Sequence, residues 1–246
     1  MSALRKLTWV ELKLFLREPL TVVFALALPL ITLFVLGGVF GNVADPNFYG
    51  GHGPVNYYTP AYIGLVLAAI GAVSIPAHLA GNRERGVLRR YRASSVPVGV
   101  VVGSEILVSL AIAVASGVVL VVCAMLAYDA QGPMAPALLV PAFLLSALMF
   151  AALGVMLGVV IPGARAAQAA GMLLWFIMLF AGGAGPPPET LTGALGVVRH
   201  AVPLTYVVGL LQRPWLDGGW SWADAGIVMA MGAAAAAVTA RWFRWE

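Results

Sequence analysis

Long apolar runs without charge constrain this chain more than any other feature of its sequence. The stretch from Leu20 to Phe40 contains no Asp, Glu, Lys or Arg, and similar runs follow along the chain. A helix needs about 20 apolar residues to cross the roughly 30 Å hydrocarbon layer of a membrane. The chain is 61% hydrophobic and only 10% charged, whereas soluble domains carry about 25% charged residues. These features exclude a soluble enzyme, a disordered chain and a secreted disulfide scaffold, and they predict a polytopic membrane protein.

The apolar runs predict an all-α fold of six transmembrane helices, which form a single transmembrane domain over residues 1–246. The third run, residues 98–128, is too long for one simple crossing, and its first part carries Gly99 and Glu105. Its membrane portion is therefore predicted to begin at Ile106. The six predicted spans cover residues 20–40, 59–80, 106–128, 136–161, 166–184 and 223–240.

The positions of the basic residues predict the orientation of the chain. Of the fourteen Lys and Arg residues, only Arg199 and Arg213 fall on the side of the loops after spans one, three and five. Because cytoplasmic loops carry the excess of Lys and Arg, the other twelve and both termini are predicted to be cytoplasmic. Glu11 and Glu18 before the first run argue against a cleaved signal peptide. Arg outnumbers Lys twelve to two, which hints at a GC-rich bacterial genome and hence at the bacterial cytoplasmic (inner) membrane.

Residues 3–18 are predicted to form an interfacial helix on the cytoplasmic surface of the membrane. The basic residues Lys6, Lys13 and Arg17 fall on one side of this helix, and leucines with Phe15 fall on another. Such basic amphipathic helices rest at the headgroup boundary. A simple N-terminal anchor explains the same pattern, and the residues leave both interpretations open.

Residues 186–218 are predicted to dip into the membrane from the external side without crossing it. Prolines at 186–188 end the fifth span, and the two helical stretches that follow, of about ten residues each, are too short to cross. A seventh crossing would also place Arg241 and Arg244 outside, against the charge rule. Candidate site residues in this external re-entrant region are Glu189, Arg199, His200, Pro203 and Tyr206.

The chain lacks the motifs of an enzyme that could power transport. A Walker A loop needs Gly-Lys followed by Ser or Thr, and neither lysine follows a glycine. No HExxH, CxxC or Ser-His-Asp set indicates a metal or catalytic site, so no metal or other cofactor is expected on this chain. Acidic residues are almost absent from the spans, and Glu105, at the predicted cytoplasmic rim, either pairs with an arginine or belongs to a proton relay. Any transport energy is therefore expected to come from another chain.

The cytoplasmic loop of residues 82–97 carries five arginines. If this loop is helical, it has one basic face and one mixed apolar and acidic face. The mixed face suits docking to a soluble partner, and the arginines suit lipid phosphates. Positive charge that only anchors the loop in the cytoplasm explains the arginines equally well. The basic face holds Arg85, Arg89 and Arg92, and the mixed face holds Glu84, Leu88 and Tyr91.

Three stretches of the chain carry a family resemblance. Residues 83–88 read Arg-Glu-Arg-Gly-Val-Leu and are followed by Arg-Ala at 92–93 and Val-Pro at 96–97. Residues 200–208 read His-Ala-Val-Pro-Leu-Thr-Tyr-Val-Val, and Arg-Glu-Pro at 17–19 precedes the first span. In order and spacing these stretches resemble the ABC type-2 transporter permeases over the whole chain, and the sequence is most similar to the daunorubicin-resistance-type drug-exporter permeases. Val87 and Tyr91 depart from the Thr and Leu that are common in that family.

The resemblance implies a function. Such permeases work as homodimers or heterodimers of six-span units, and each unit is seated on an ABC ATP-binding subunit that holds ATP and Mg. This chain would then be the non-enzymatic membrane subunit of an exporter that moves a hydrophobic or amphiphilic compound, such as a drug or antibiotic, as in multidrug efflux. Export of a lipid or polysaccharide precursor, an ion-coupled carrier and a membrane scaffold remain alternatives, and no nucleic acid partner is expected. The residues implied to couple to the ATP-binding subunit are Arg83, Glu84, Arg85, Gly86, Leu88, Arg89, Tyr91 and Arg92.

Overall fold

The computed structural model describes residues 8–10, 12–13, 23–45, 48–87, 90, 93, 97–186 and 192–242. These residues form helices joined by turns, with no strand among them. The prediction of six helices long and apolar enough to cross a membrane is confirmed. In chain order the helices are α1 (Val23–Phe40), α2 (Pro54–Glu84), α3 (Val98–Tyr128), α4 (Pro136–Val160), α5 (Ala164–Ala181), α6 (Gly193–Val198), α7 (Pro203–Gln212) and α8 (Trp222–Trp242).

Successive long helices run in opposite directions, so their ends form two faces of the bundle. We call the face that holds the α2–α3 and α4–α5 connections the loop face, and the opposite face the far face. Hydrogen bonds join the connections of the far face: the Asn42 side chain donates to the Tyr128 carbonyl at 3.1 Å, and the Met134 N–H donates to the Trp215 carbonyl at 3.1 Å. The far-face connections therefore support one another.

Helix α2 lies at the centre of the bundle. In its most apolar window 94% of the residues are buried, compared with 17–39% in the other five long helices. Those five expose large apolar side chains, such as Phe34 of α1 and Phe180 of α5. An exposed apolar surface of this extent suits a chain that is surrounded by lipid and needs to satisfy its backbone within each helix.

Glycines bring the neighbouring helices close to the middle of α2. A β-carbon at Gly71 would overlap the Phe150 carbonyl oxygen of α4, and a β-carbon at Gly171 of α5 would overlap the Ala72 carbonyl oxygen. These contacts coincide with a π-helical turn at Ile70–Ser74, within α2. Small residues at such contacts allow helix backbones to approach closely, which drives packing in membranes.

Helices α2 and α3 extend beyond the predicted spans 59–80 and 106–128. Each has 31 residues, which at about 1.5 Å per residue corresponds to roughly 46 Å, more than the hydrocarbon layer requires. The polar residues that shortened the prediction are accommodated within the helices; Ser104 Oγ, for example, donates to the Val101 carbonyl at 2.8 Å. Residues 20–22 of the first predicted span lie outside the described residues.

Candidate functional site

The last turn of α2 holds the connection between α4 and α5. Arg83 donates through Nη1 to the Val159 carbonyl at 2.9 Å and through Nη2 to the Ile161 carbonyl at 2.8 Å. The last carbonyls of a helix lack helical partners and carry its negative dipole end, so a guanidinium stabilises the C-terminus of α4. Glu84 Oε1 accepts a hydrogen bond from the Ala164 N–H at 3.2 Å, at the N-terminus of α5. Two adjacent side chains of α2 therefore fix the ends of two further helices.

Gly86 ends α2 and turns the chain. Its φ of +67° lies in the left-handed region, which glycine adopts without the steric cost of a β-carbon. The Gly86 N–H donates to the Arg83 carbonyl at 3.0 Å, and the Arg90 N–H donates to the Gly86 carbonyl at 3.2 Å. Val87 and Arg90, beyond this glycine, are again helical. Of the predicted coupling residues, Leu88, Arg89, Tyr91 and Arg92 lie outside the described residues.

A polar cluster extends from the same end of α2 about two turns further into the bundle, where it is buried. His78 of α2 contacts Glu105 of α3, with 3.0 Å between Nδ1 and Oε1, and the two side chains are 4% and 10% exposed. Asn82 Nδ2 lies 3.4 Å from His78 Nε2, and Arg85 donates to Asn82 Oδ1 at 3.0 Å. We call His78, Asn82, Arg85 and Glu105 the inner polar cluster. The expected arginine partner of Glu105 is not found among the described residues, where its partner is His78.

Arg85 sets the orientation of the Asn82 amide within the cluster. Arginine can only donate, so Asn82 accepts through Oδ1 and presents its Nδ2 donor to His78. The other ring nitrogen, His78 Nδ1, faces the Glu105 carboxylate. The cluster thus forms a continuous path from the exposed Arg85 at the loop face to α3.

The predicted interfacial helix is described only in part. Residues 8–10 and 12–13 are helical, and Lys13 Nζ lies 4.9 Å from the centre of the Trp9 ring, within the range of a cation–π contact. Lys6 and Arg17 lie outside the described residues.

The predicted re-entrant region contains two short helices, α6 and α7. Pro203 is at the start of α7, where its missing N–H costs nothing. Thr205 Oγ1 donates to the Arg199 carbonyl at 2.6 Å, and Tyr206 Oη donates to the His200 carbonyl at 2.8 Å. These bonds tie the first turn of α7 to the turn that precedes it. Glu189 lies outside the described residues.

Helix α7 packs against the half of α2 that is closer to the far face. A β-carbon on Gly64 of α2 would lie 3.0 Å from Leu204 Cδ1, at the beginning of α7, whereas Gln212 at its end donates to the Tyr57 carbonyl at 3.1 Å. The same β-carbon on Gly64 would lie 3.7 Å from Leu211 Cδ1, so both ends of α7 pack against this part of α2. Neither α6, with six residues, nor α7, with ten, is long enough to cross a membrane.

A polar cavity of about 520 Å³ opens beside α7. Parts of its wall come from the ends of α2 and α5, from α7 and from the start of α8. We call it the far-face cavity. Of the predicted site residues it includes only Arg199, and sequence reasoning missed its other ionisable members, His52, Arg213, Asp217 and Asp224. They are separated by up to 172 positions in sequence, and only the packing of the far-face connections brings them together.

Comparison with known proteins identifies a family. A family model described as ABC-2 type transporter matches residues 2–213. The matched range includes α1 to α7, the connections at the loop face and all residues lining the far-face cavity except Leu216, Asp217 and Asp224. No curated protein matches the chain.

Proposed function

Because the chain belongs to the ABC-2 type transporter family, we propose that it is the permease subunit of an ATP-driven exporter. The proposed cargo is a hydrophobic or amphiphilic compound, such as a drug or antibiotic, that leaves the cytoplasm or the inner leaflet. A separate ABC subunit would bind ATP and Mg and supply the energy, and two permease units would form the transport path. The proposed location is the bacterial cytoplasmic membrane, with the loop face in the cytoplasm, because twelve of the fourteen Lys and Arg residues favour that side.

The contacts of Arg83 and Glu84 support a coupling role for the loop after α2. Both side chains hold the α4–α5 connection, and the inner polar cluster joins the same end of α2 to α3. A displacement of this end of α2 would therefore reach three other helices through direct contacts. Leu88, which lies outside the described residues, is the proposed apolar contact with the ATP-binding subunit.

An experiment on Glu84 and Leu88 tests this proposal. Leu88→Ala should lower the affinity for the ATP-binding subunit by about fivefold or more, as truncation of a buried interface contact costs at least about 1 kcal/mol. Glu84→Gln keeps an oxygen that can accept from the Ala164 N–H, whereas Glu84→Ala removes it. If Glu84 serves only the α5 terminus, Glu84→Gln should be close to wild type in pull-down and in ATP-driven export from proteoliposomes, and Glu84→Ala should be impaired.

The matched control is Arg165→Gln, which removes an exposed charge from the same face. Unchanged binding of the ATP-binding subunit by Leu88→Ala and by both Glu84 variants would remove this loop from the coupling mechanism. Export that proceeds without the ATP-binding subunit would contradict the proposed function itself.

An ion-coupled carrier is the second candidate, and the inner polar cluster is the observation that favours it. Ionisable side chains inside membrane spans frequently belong to proton pathways, and His78 and Glu105 are both buried. Proteoliposomes loaded with cargo separate the two functions. The carrier predicts transport driven by a proton gradient alone, whereas the exporter predicts transport that needs the ATP-binding subunit and ATP.

A further inference from the structure

The far-face cavity has the size of a site for a small molecule. Its volume of about 520 Å³ lies within the roughly 300–1,000 Å³ that is usual for ligand sites. The lining combines aromatic, cationic and anionic side chains: Tyr49, His52, Arg199, Arg213, Asp217 and Asp224. A cavity with both signs of charge does not suit an apolar cargo, because charged side chains would lose hydration without gaining partners.

Arg213 and Asp217 stand at the two ends of a π-helical turn, Arg213–Asp217, and both are exposed. They are four residues apart, yet no ion pair joins them within 4.0 Å, and among the described residues the only ion-pair partner of Asp217 is His52, at 4.0 Å. The guanidinium of Arg213 has no hydrogen bond to a residue in the described part of the chain. The cavity therefore offers a cation and an anion that do not neutralise each other directly.

The deeper carboxylate of the cavity is held in place. Asp224 accepts from Ser221 Oγ at 2.6 Å and its N–H donates back at 3.3 Å, so the pair caps the start of α8. A β-carbon at Gly209 of α7 would lie 2.7 Å from Asp224 Oδ2. The glycine therefore leaves the space that this carboxylate occupies at the cavity wall.

Two tryptophans indicate the depth of the cavity. Trp220 and Trp222 flank Ser221, directly before and at the start of α8, and their ring centres are 6.0 Å apart. Tryptophan is enriched at the level of the lipid headgroups. Asp224 is thus close to the headgroup layer, and Arg213 and Asp217 precede these tryptophans in the same connection.

We propose that the far-face cavity binds a phosphate ester that also carries an ammonium group, as found in the headgroup of phosphatidylethanolamine in the adjacent leaflet. The planar guanidinium of Arg213 binds a phosphate through two parallel hydrogen bonds, and the carboxylate of Asp217 binds the ammonium group. A simple anion would use only the arginines, and a simple cation only the aspartates. The proposal concerns a lipid of the far-face leaflet and does not depend on how transport is powered.

Native mass spectrometry of the full purified chain tests the proposal with two lipids, phosphatidylethanolamine and phosphatidylglycerol, which lacks the ammonium group. Wild type should retain phosphatidylethanolamine in preference to phosphatidylglycerol. Arg213→Gln should weaken the binding of both lipids by at least about tenfold, the effect expected for the loss of even one of the two charge-assisted hydrogen bonds. Asp217→Asn should weaken phosphatidylethanolamine only, and Arg213→Lys should give a smaller loss than Arg213→Gln.

The control variant is Arg165→Gln, which removes an arginine from the loop face and should leave the lipid preference unchanged. Soluble glycerophosphoethanolamine distinguishes a free compound from a lipid. If it displaces the lipid at equal concentration, the site binds a free compound of the same chemistry. If it displaces the lipid only at large excess, the site binds the lipid. Equal retention of the two lipids by wild type, or loss of both lipids in Asp217→Asn, would overturn the proposal. Arg213 and Asp217 are both exposed and neither side chain packs in the core, so substitutions at these positions should leave the fold intact.

Discussion

Replacement of His78 by leucine gives the sharpest test of the inner polar cluster. His78 is the hydrogen-bond partner of Glu105, and the Glu105 side chain is only 10% exposed. His78→Leu leaves this carboxylate buried without a partner, either charged or forced to take up a proton. Breaking a buried pair in this way costs about 3–5 kcal/mol, because the desolvation of the remaining group is no longer offset.

The reverse replacement should cost less. Glu105→Leu leaves His78 with its contact to Asn82, so the expected loss is about 1–3 kcal/mol, the cost of one unsatisfied buried group. The double variant His78→Leu/Glu105→Leu removes both polar groups, and apolar replacement of a buried pair is often neutral. The two substitutions should therefore be strongly non-additive, with the double variant more stable than His78→Leu alone.

Thermal unfolding of the purified protein measures these differences. The chain has one cysteine, Cys123 on α3, which is partly buried, so its reaction with a thiol dye reports the opening of the helix that carries Glu105. For a chain of this size about 1 kcal/mol corresponds to about 2–4 °C in Tm, and His78→Leu should thus lower Tm by about 6–20 °C.

Ser74→Ala is the matched control on the same helix. Ser74 is buried and its hydroxyl has no hydrogen-bond partner in the described part of the chain, so the loss of this hydroxyl should leave Tm unchanged or raise it. Additive losses in the double variant, or a His78→Leu protein as stable as wild type, would refute the assignment of His78 and Glu105 as a mutually dependent pair.

Three further predictions follow from single positions. Gly171→Val should destabilise the bundle by more than about 2 kcal/mol in the thiol assay, because its side chain would overlap the backbone of α2, whereas Gly226→Ala, with no atom near the new β-carbon, should be neutral or stabilising. Gly86→Val should lower Tm, because a β-branched residue at φ +67° costs about 1–2 kcal/mol. In intact cells and a cysteine-free background, Ser94→Cys should react only with membrane-permeant thiol reagents and Thr192→Cys also with impermeant ones; labelling of Ser94→Cys from outside would reverse the proposed orientation.

The number of spans could be predicted because each span is a continuous apolar run, and hydropathy needs no tertiary information. The ends of α2 could not, since its polar residues are satisfied by distant partners. The Asn56 N–H donates to Asn42 Oδ1, and Asn56 Oδ1 in turn accepts from the Gln131 N–H. These bonds allow the helix to begin at Pro54, five residues before the predicted start at Thr59.

The helix face to which Glu84 was assigned shows a second limit of sequence reasoning. Helical spacing grouped Glu84 with Leu88 and Tyr91 on the assumption that residues 82–97 form one helix. In the structure α2 runs through Glu84, and the positive φ of Gly86 turns the chain, so spacing across Gly86 does not report a shared face. The Glu84 carboxylate lies at the N-terminus of α5 instead. A glycine two residues after a charged helix end was the available signal for this break.

The inner polar cluster was hidden for a different reason. His78 and Glu105 lie 27 residues apart, on α2 and α3, and the relative rotation of these helices is set by the packing of the whole bundle. Sequence places each near the loop face but does not show which side chains of two antiparallel helices meet. An ionisable residue inside a predicted span is the signal that such a partner exists, and identifying the partner required the structure.

The position of α2 explains how events at the two faces could be linked. One end of α2 contacts α3, α4 and α5 through His78, Arg83 and Glu84, and the other half contacts α7 at Gly64. The π-helical turn between them, Ile70–Ser74, is a point at which a helix would otherwise bend, but close backbone contacts with α4 and α5 surround it. Bending there would separate these contacts and lose their packing energy. Displacement of the loop-face end should therefore move α2 as a rigid element and carry α7, the wall of the far-face cavity, with it.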